Sequence, residues 1–239
     1  MTVKKHIPNT ITLLNMLSGI MGIIAVFNDK PQTAFMFMLL AACFDFCDGL
    51  AARLLGAYSE IGKELDSLSD LVSFGVLPSI MLYNMLESIA WRRWWVFVPL
   101  LIALFSALRL AIFNLDDRQT DSFLGLPTPA CAMICGSFAA WYDMGGYLSL
   151  ASSTGVAFFV CAGALLLCAL LVSEVPMFSF KLHKGESLKA FFNWKRICFL
   201  LALAASAVIV LVWHHSWPLL FFASFSAYVV INLIPTRKL

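Results

Sequence analysis

The sequence predicts an all-α integral membrane protein of about eight transmembrane helices. Three observations lead there. Hydrophobic residues make up 61% of the 239-residue chain. Charged residues make up only 13%, where a soluble domain carries about a quarter. The apolar runs are continuous over the ~20 residues that a hydrocarbon core of ~30 Å requires, and they do not alternate as the strands of a membrane barrel do.

The candidate spans cover roughly residues 11–28, 33–55, 70–88, 93–114, 126–148, 153–173, 196–213 and 217–234, and the joints between them are short, so 1–239 reads as one membrane domain. Lys4 and Lys5 precede the first run, as in a signal peptide. That run is span-length and lacks a small-residue cleavage site, so it is expected to stay as the first helix, with Pro8 in its first turn. Asn28-Asp29-Lys30-Pro31 reads as the turn before the second span. Pro127 and Pro129 open the fifth. Trp91, Trp94, Trp95, Trp141, Trp213 and Trp217 fall near span ends, as an interfacial aromatic belt would. In the polar stretch 174–195, Leu188, Phe191, Phe192 and Trp194 alternate with lysines, the pattern of a segment lying among lipid headgroups. The seven cysteines lie in or near spans and read as packing residues. His6, His183, His214 and His215 share no ligand spacing with the acids and read as interfacial.

Orientation follows from the basic residues. Of the 16 lysines and arginines, only Lys30, Arg92 and Arg93 fall on one side of an eight-span arrangement. The others, including Arg53, Lys63, Arg109, Arg118, Lys181, Lys195 and Arg196, fall opposite. Both termini and the acid-bearing segment are therefore expected to face the cytoplasm from the cytoplasmic (inner) membrane. The net charge of +2 points to no nucleic-acid surface.

The informative segment runs from Asp45 to Asp70. Its spacing is Asp45-x2-Asp48-Gly49-x2-Ala52-Arg53-x8-Gly62-x3-Asp66-x3-Asp70. A charge at a helix centre costs about 2.5–3.5 kcal/mol on insertion scales, so four acids in oily helices need a compensating partner. Asp45 and Asp48 share one helix face, and so do Asp66 and Asp70. Facing carboxylates supply the hard oxygen ligands that Mg²⁺ or Mn²⁺ prefers, with a substrate phosphate completing the shell. Such a site suits phosphoryl-type transfer, in which a spare carboxylate accepts the proton of the attacking hydroxyl. Gly49 and Ala52 allow close approach, and Arg53 is placed to clamp a diphosphate oxygen. Salt bridging of Asp66 to Lys63 or Arg53 is the purely structural alternative. A cation-coupled transporter also uses intramembrane acids, but at a midplane site with broken helices.

These positions resemble the signature of the CDP-alcohol phosphotransferases, integral membrane enzymes that join a CDP-activated lipid or alcohol to an acceptor hydroxyl and release CMP. The resemblance implies a CDP-alcohol phosphotransferase-like helical bundle and a divalent metal, Mg²⁺ or Mn²⁺, as one or two ions. It implies Asp45, Asp48 and Asp66 as metal ligands, and Asp70 as a further ligand or the base. It implies Gly49, Ala52, Arg53 and Gly62 as the residues shaping the CDP pocket, and a homodimer.

Flanking segments narrow the acceptor. His6 to Asn15, Arg109 to Ala130 and Leu171 to Lys181 resemble the phosphatidylserine synthase branch of that family, with Asn9 and Thr12 in the part that contributes to nucleotide binding. The branch implies CDP-diacylglycerol and L-serine as substrates in the lipid bilayer. Ile112 departs from it, standing where a second arginine is usual. Serine carries a carboxylate, an ammonium and a hydroxyl, so its pocket wants a cation and a nearby base. Arg109 is the first choice for the carboxylate, with Asn114, Arg118, Ser173 and Lys181 as further acceptor or phosphate contacts. Glycerol 3-phosphate, inositol and choline are the alternative acceptors for the same chemistry.

Overall fold

The structure, a computed structural model, describes residues 6–90, 93–115, 123–145, 153–178, 194–212 and 217–234. Arg118, Lys181 and most of the 184–195 stretch lie outside the described residues. The first two helices are α1 (His6–Phe27) and α2 (Pro31–Leu55). The third span is built from α3 (Glu60–Asp70), a π-helical turn at Leu71–Val76 and α4 (Leu77–Ala90). A 3-10 segment, Trp94–Leu100, leads into α5 (Leu101–Leu115). Then come α6 (Thr128–Asp143), α7 (Ser153–Leu171), α8 (Trp194–Val212) and α9 (Pro218–Leu233).

The all-α membrane class holds. Among the described residues, 6 helical stretches are long and apolar enough to cross a membrane: His6–Phe27, Pro31–Leu55, Glu60–Ile89, Trp94–Leu115, Thr154–Leu171 and Trp194–Leu211. The other two expected spans are shorter, since α6 and α9 have 16 residues each, or ~24 Å at 1.5 Å per residue. For α6 the reason is its surroundings. Every residue from Cys131 to Ala140 is buried, because α2, α4 and α9 pack around it. It faces protein on all sides and has no lipid thickness to match.

Two further differences have local causes. The third helix begins at Glu60, well before the apolar run near residue 70. Ser59, in extended conformation, caps it by accepting the Gly62 N–H at 3.0 Å, so the helix forms first as a polar turn and only then becomes oily. Phe123 and Leu124 pair antiparallel with Met177 and Pro176 as a two-residue ladder, too short to leave a periodic signal.

The buried core draws Phe35 and Met38 from α2, Phe74, Leu77, Met81 and Leu86 from the third span, and Ile102, Leu126 and Leu171 from later elements. Cys131, Cys135 and Cys168 are buried and free, while Cys43 and Cys47 are exposed on α2. At the end where α2 starts, the Gln32 amide donates to the Asp143 carboxylate and Phe35 stacks on Trp217 at 5.4 Å. At the opposite end lie the finish of α2 and the start of α3. There α1 and the third span are in close contact: a Cβ at Gly19 would stand 2.9 Å from Ser73 Cα, and the Ser73 hydroxyl donates to the Asn15 carbonyl at 3.0 Å.

The turn before α6 is fastened to the end of α7. Gly125 N–H donates to Val175 O at 3.0 Å and Leu126 N–H to Leu170 O at 2.9 Å. Gly125 has φ +76°, and a Cβ there would lie 2.7 Å from both Leu171 O and Ser173 O. Both strain and clash oppose any side chain at this point. Gly125→Ala is therefore expected to cost at least about 1–3 kcal/mol, read as a lower unfolding temperature in detergent. An unchanged melting curve would contradict the close fastening described here.

Candidate functional site

Three helices bring the acids together. α2 carries Asp45 and Asp48 near its end, where Gly56 at φ 57° stops the helix and its N–H caps Ala52 O and Arg53 O. α3 carries Asp66 and Asp70, and α1 packs beside both. Asp45, Asp48 and Asp66 each offer a carboxylate oxygen such that all three atoms lie within 4.8 Å of one another. Asp48 is only 6% exposed, and one of its oxygens has no protein partner.

The basic residues that sequence proximity offered as neutralising partners are turned elsewhere. Arg53 Nε donates to Gly49 O at 3.0 Å. Lys63 Nζ donates to Asn114 O at 3.0 Å. The cluster is thus an all-oxygen donor set of three carboxylates with an orphaned buried oxygen, a chemistry that fits a hard divalent cation such as Mg²⁺ or Mn²⁺. Asp70, one turn beyond Asp66, is not one of these three, but its carboxyl stands directly beside that of Asp45. Its Oδ1 accepts a hydrogen bond from Asn15 Nδ2 at 3.2 Å.

A cleft of about 240 Å³ opens beside the acids. Asn9, Thr12, Gly49, Ala52 and Gly62, all expected at the nucleotide, line it together with Asp48 and Asp66. The two glycines do different things. A Cβ at Gly62 would stand 3.1 Å from Asn9 Oδ1 and 3.0 Å from Ser59 Oγ, so the bare backbone lets α1 close against α3. A Cβ at Gly49 would meet nothing nearer than Arg53 Nη2 at 3.8 Å. Packing within the chain does not demand that glycine, and its missing side chain leaves the cleft wall open. Arg53 stands next to the cleft through that same approach. Tyr58, Ser59 and Lys63 also line it and were missed by sequence reasoning. The serine cap was readable as a helix start; Tyr58, 68% exposed, carries no spacing signal.

The acceptor candidates separate. Arg109 is 7% exposed. Its Nη1 donates to Thr128 Oγ1 at 2.8 Å, its guanidinium lies 5.6 Å from the centre of the Phe113 ring, and its Nε has no partner. Asp70 is the carboxylate whose charge acts on it. Thr128, which orients the guanidinium from the first turn of α6, had no sequence signal. Asn114 is engaged in holding α3: its Nδ2 donates to Ser67 Oγ at 2.9 Å. The Ser173 hydroxyl donates to Leu170 O at 2.9 Å, closing the last turn of α7. Ile112, one turn after the buried Arg109 on α5, is exposed.

The chain also resembles known proteins in sequence. A sequence model of the CDP-alcohol phosphatidyltransferases matches residues 5–175. The chain is 31% identical over 186 residues to a CDP-diacylglycerol–serine O-phosphatidyltransferase of Bacillus subtilis, covering 77% of this chain and 97% of that protein. It is 36% identical over 186 residues to an enzyme of the same name from Mycobacterium tuberculosis, covering 72% of this chain and 60% of the other. It is also 36% identical over 149 residues to an archaetidylserine synthase of Methanothermobacter thermautotrophicus, covering 62% of each.

The geometry predicts that cation binding rests on the three close carboxylates. Asp48→Asn should weaken Mn²⁺ binding at least tenfold by electron paramagnetic resonance, while Asp143→Asn, at the other end of the bundle, should not. Equal affinities in the two variants would remove the cluster as a metal centre.

Proposed function

The chain belongs to the CDP-alcohol phosphatidyltransferase family, and on that premise we propose that it transfers the phosphatidyl group of CDP-diacylglycerol to L-serine, giving phosphatidylserine and CMP. The observation that carries this reading is the junction of the three-carboxylate group with the small-walled cleft of Asn9, Thr12, Gly49, Ala52 and Gly62. The cleft takes the CMP half, and the diphosphate reaches the acids. Family membership replaces the transporter alternative.

Asp45, Asp48 and Asp66 would hold a Mg²⁺ or Mn²⁺ ion, which would supply positive charge against the diphosphate. The rest is the work of the chain's own groups. Arg53, already beside Gly49, adds a guanidinium for a diphosphate oxygen. Asp70 accepts the proton of the serine hydroxyl as that oxygen bonds to the lipid-side phosphorus. The phosphorus–oxygen bond to the CMP phosphate breaks in the same displacement, and CMP leaves with the electron pair.

For serine, the support is twofold. All three relatives compared carry serine in their names, and Arg109 is a buried guanidinium with a spare N–H, on which the charge of Asp70 acts. One cation suits one carboxylate, whereas glycerol 3-phosphate would call for several. Asn114, Ser173, Arg118 and Lys181 are kept as further acceptor or phosphate contacts on the resemblance alone, with Asn114 acting through Ser67 on α3. We read the enzyme as a homodimer of the cytoplasmic membrane with its site on the cytoplasmic side.

Purified protein should release CMP from CDP-diacylglycerol only when both a divalent metal and an acceptor are present, with serine the best acceptor in a screen. Faster turnover with glycerol 3-phosphate, inositol or choline would overturn the serine assignment. Asp70→Asn is expected to lower kcat about 10²–10⁴-fold while CDP-diacylglycerol still binds; near-normal turnover would remove Asp70 as the base. Arg109→Ala, with Arg109→Lys as the milder variant, should raise the serine KM more than tenfold and leave that of the lipid nearly unchanged. An unaltered serine KM in both variants would sink the carboxylate role.

A further inference from the structure

The family match ends at residue 175, and α8 and α9 follow it. α9 carries two buried polar side chains that the reaction described above does not use, Tyr228 at 6% exposure and Asn232 at 3%. Both close on Phe178, the residue just past the ladder strand Pro176–Met177. The Phe178 N–H donates to Asn232 Oδ1 at 3.0 Å, and the Tyr228 hydroxyl donates to the Phe178 carbonyl at 3.0 Å. The Asn232 amide is held in that sense, because its Nδ2 donates to Tyr228 O at 2.9 Å. The rings pack to match: Phe178 meets Tyr228 edge-on at 4.9 Å, and Phe199 of α8 stands 5.9 Å from Tyr228. Lys195, in the first turn of α8, donates to Asn232 O at 3.3 Å.

This grip lies at the acceptor end of the site. Pro176 and Met177 pair with Leu124 and Phe123, the next two residues are fastened to the end of α7, and Thr128 then accepts from Arg109. Tyr228 itself lies within electrostatic range of Arg109. Resting on the reading of Arg109 given above, we propose that Tyr228 and Asn232 are positioning residues that clamp Phe178 and thereby hold the Arg109 guanidinium in place for the acceptor carboxylate. A residue gripped at both its N–H and its C=O can neither slide nor turn, so the ladder it extends is fixed in register. Two neutral side chains do this without adding charge beside Arg109. A carboxylate in either place would compete with the acceptor for the guanidinium. Acceptor affinity thus depends on a helix that lies outside the family match.

The test is serine kinetics in Tyr228→Phe, which keeps the ring and removes the hydroxyl, and in Asn232→Ala. Ser224→Ala is the control: on the same helix it loses its contact with Ser206 of α8 and leaves Phe178 untouched. The serine KM should rise roughly tenfold in both clamp variants, as for one lost buried hydrogen bond. The KM of CDP-diacylglycerol and the Mn²⁺ affinity should stay within about twofold, and Ser224→Ala within about twofold throughout. In the Arg109→Ala background, Tyr228→Phe should raise the serine KM no further, since the clamp acts through the guanidinium. Should Asn232→Ala fail to fold, Tyr228→Phe decides. An unchanged serine KM in Tyr228→Phe beside a raised one in Arg109→Ala would overturn the clamp alone. So would a full further rise in the double variant, or an equal rise in Ser224→Ala, since each marks a merely structural role. If Arg109→Ala leaves the serine KM unaltered, the reading of Arg109 falls, and the clamp proposal falls with it.

Discussion

The polar end of this bundle depends on how closely α1 lies against the third span. Gly19 and Ser73 meet at backbone distance, and from that contact Asn15 reaches Asp70 while Asn9 reaches Gly62. Moved outward by the width of one methyl group, α1 would leave Asp70 without its amide and the cleft without one wall. Helix association in a bilayer has no hydrophobic driving force of its own, so small residues that let backbones approach supply packing and hydrogen bonds in its place.

The same end carries a concentration of negative charge that the protein does not neutralise from within. Arg53 and Lys63 are bound to backbone carbonyls, and Arg109 is hydrogen-bonded to Thr128. Keeping these cations off Asp45, Asp48 and Asp66 leaves the three carboxylates open to a cation from solution. A bound divalent ion would stabilise the fold by mass action. The helix ends at this site are independently capped by Ser59 and Gly56, so the backbone does not rely on that ion for its geometry.

Much of this was legible in the sequence. The spans were visible because lipid demands length and continuous apolarity, and the acids because charge inside such a run is costly. Asn9, Thr12, Gly49, Ala52 and Gly62, drawn from three helices, meet at one cleft because each is small or short enough to leave room there. What stayed hidden depended on contacts between distant segments. Neither the pairing of Asn15 with Asp70 nor that of Arg109 with Thr128 has a local pattern, since each joins residues far apart in the chain. The shortness of α6 was hidden because a helix wrapped by protein and one wrapped by lipid have the same composition. The ladder between Phe123–Leu124 and Pro176–Met177 was too brief to announce itself.

The π-helical turn after Asp70 sets a phase relation along the third span. Each α-helical residue advances the face by ~100°, and a π turn takes up an extra residue before the regular advance resumes. The carboxylates of α3 and the apolar face of α4 are therefore offset from the alignment an uninterrupted helix would give. One segment can then present acids to a cleft and, a few turns deeper, present Leu77 and Met81 to the core, though no single helical stripe serves both. In that sense Leu71–Val76 works as a gear between two registers, matching the acids above it to the packing below.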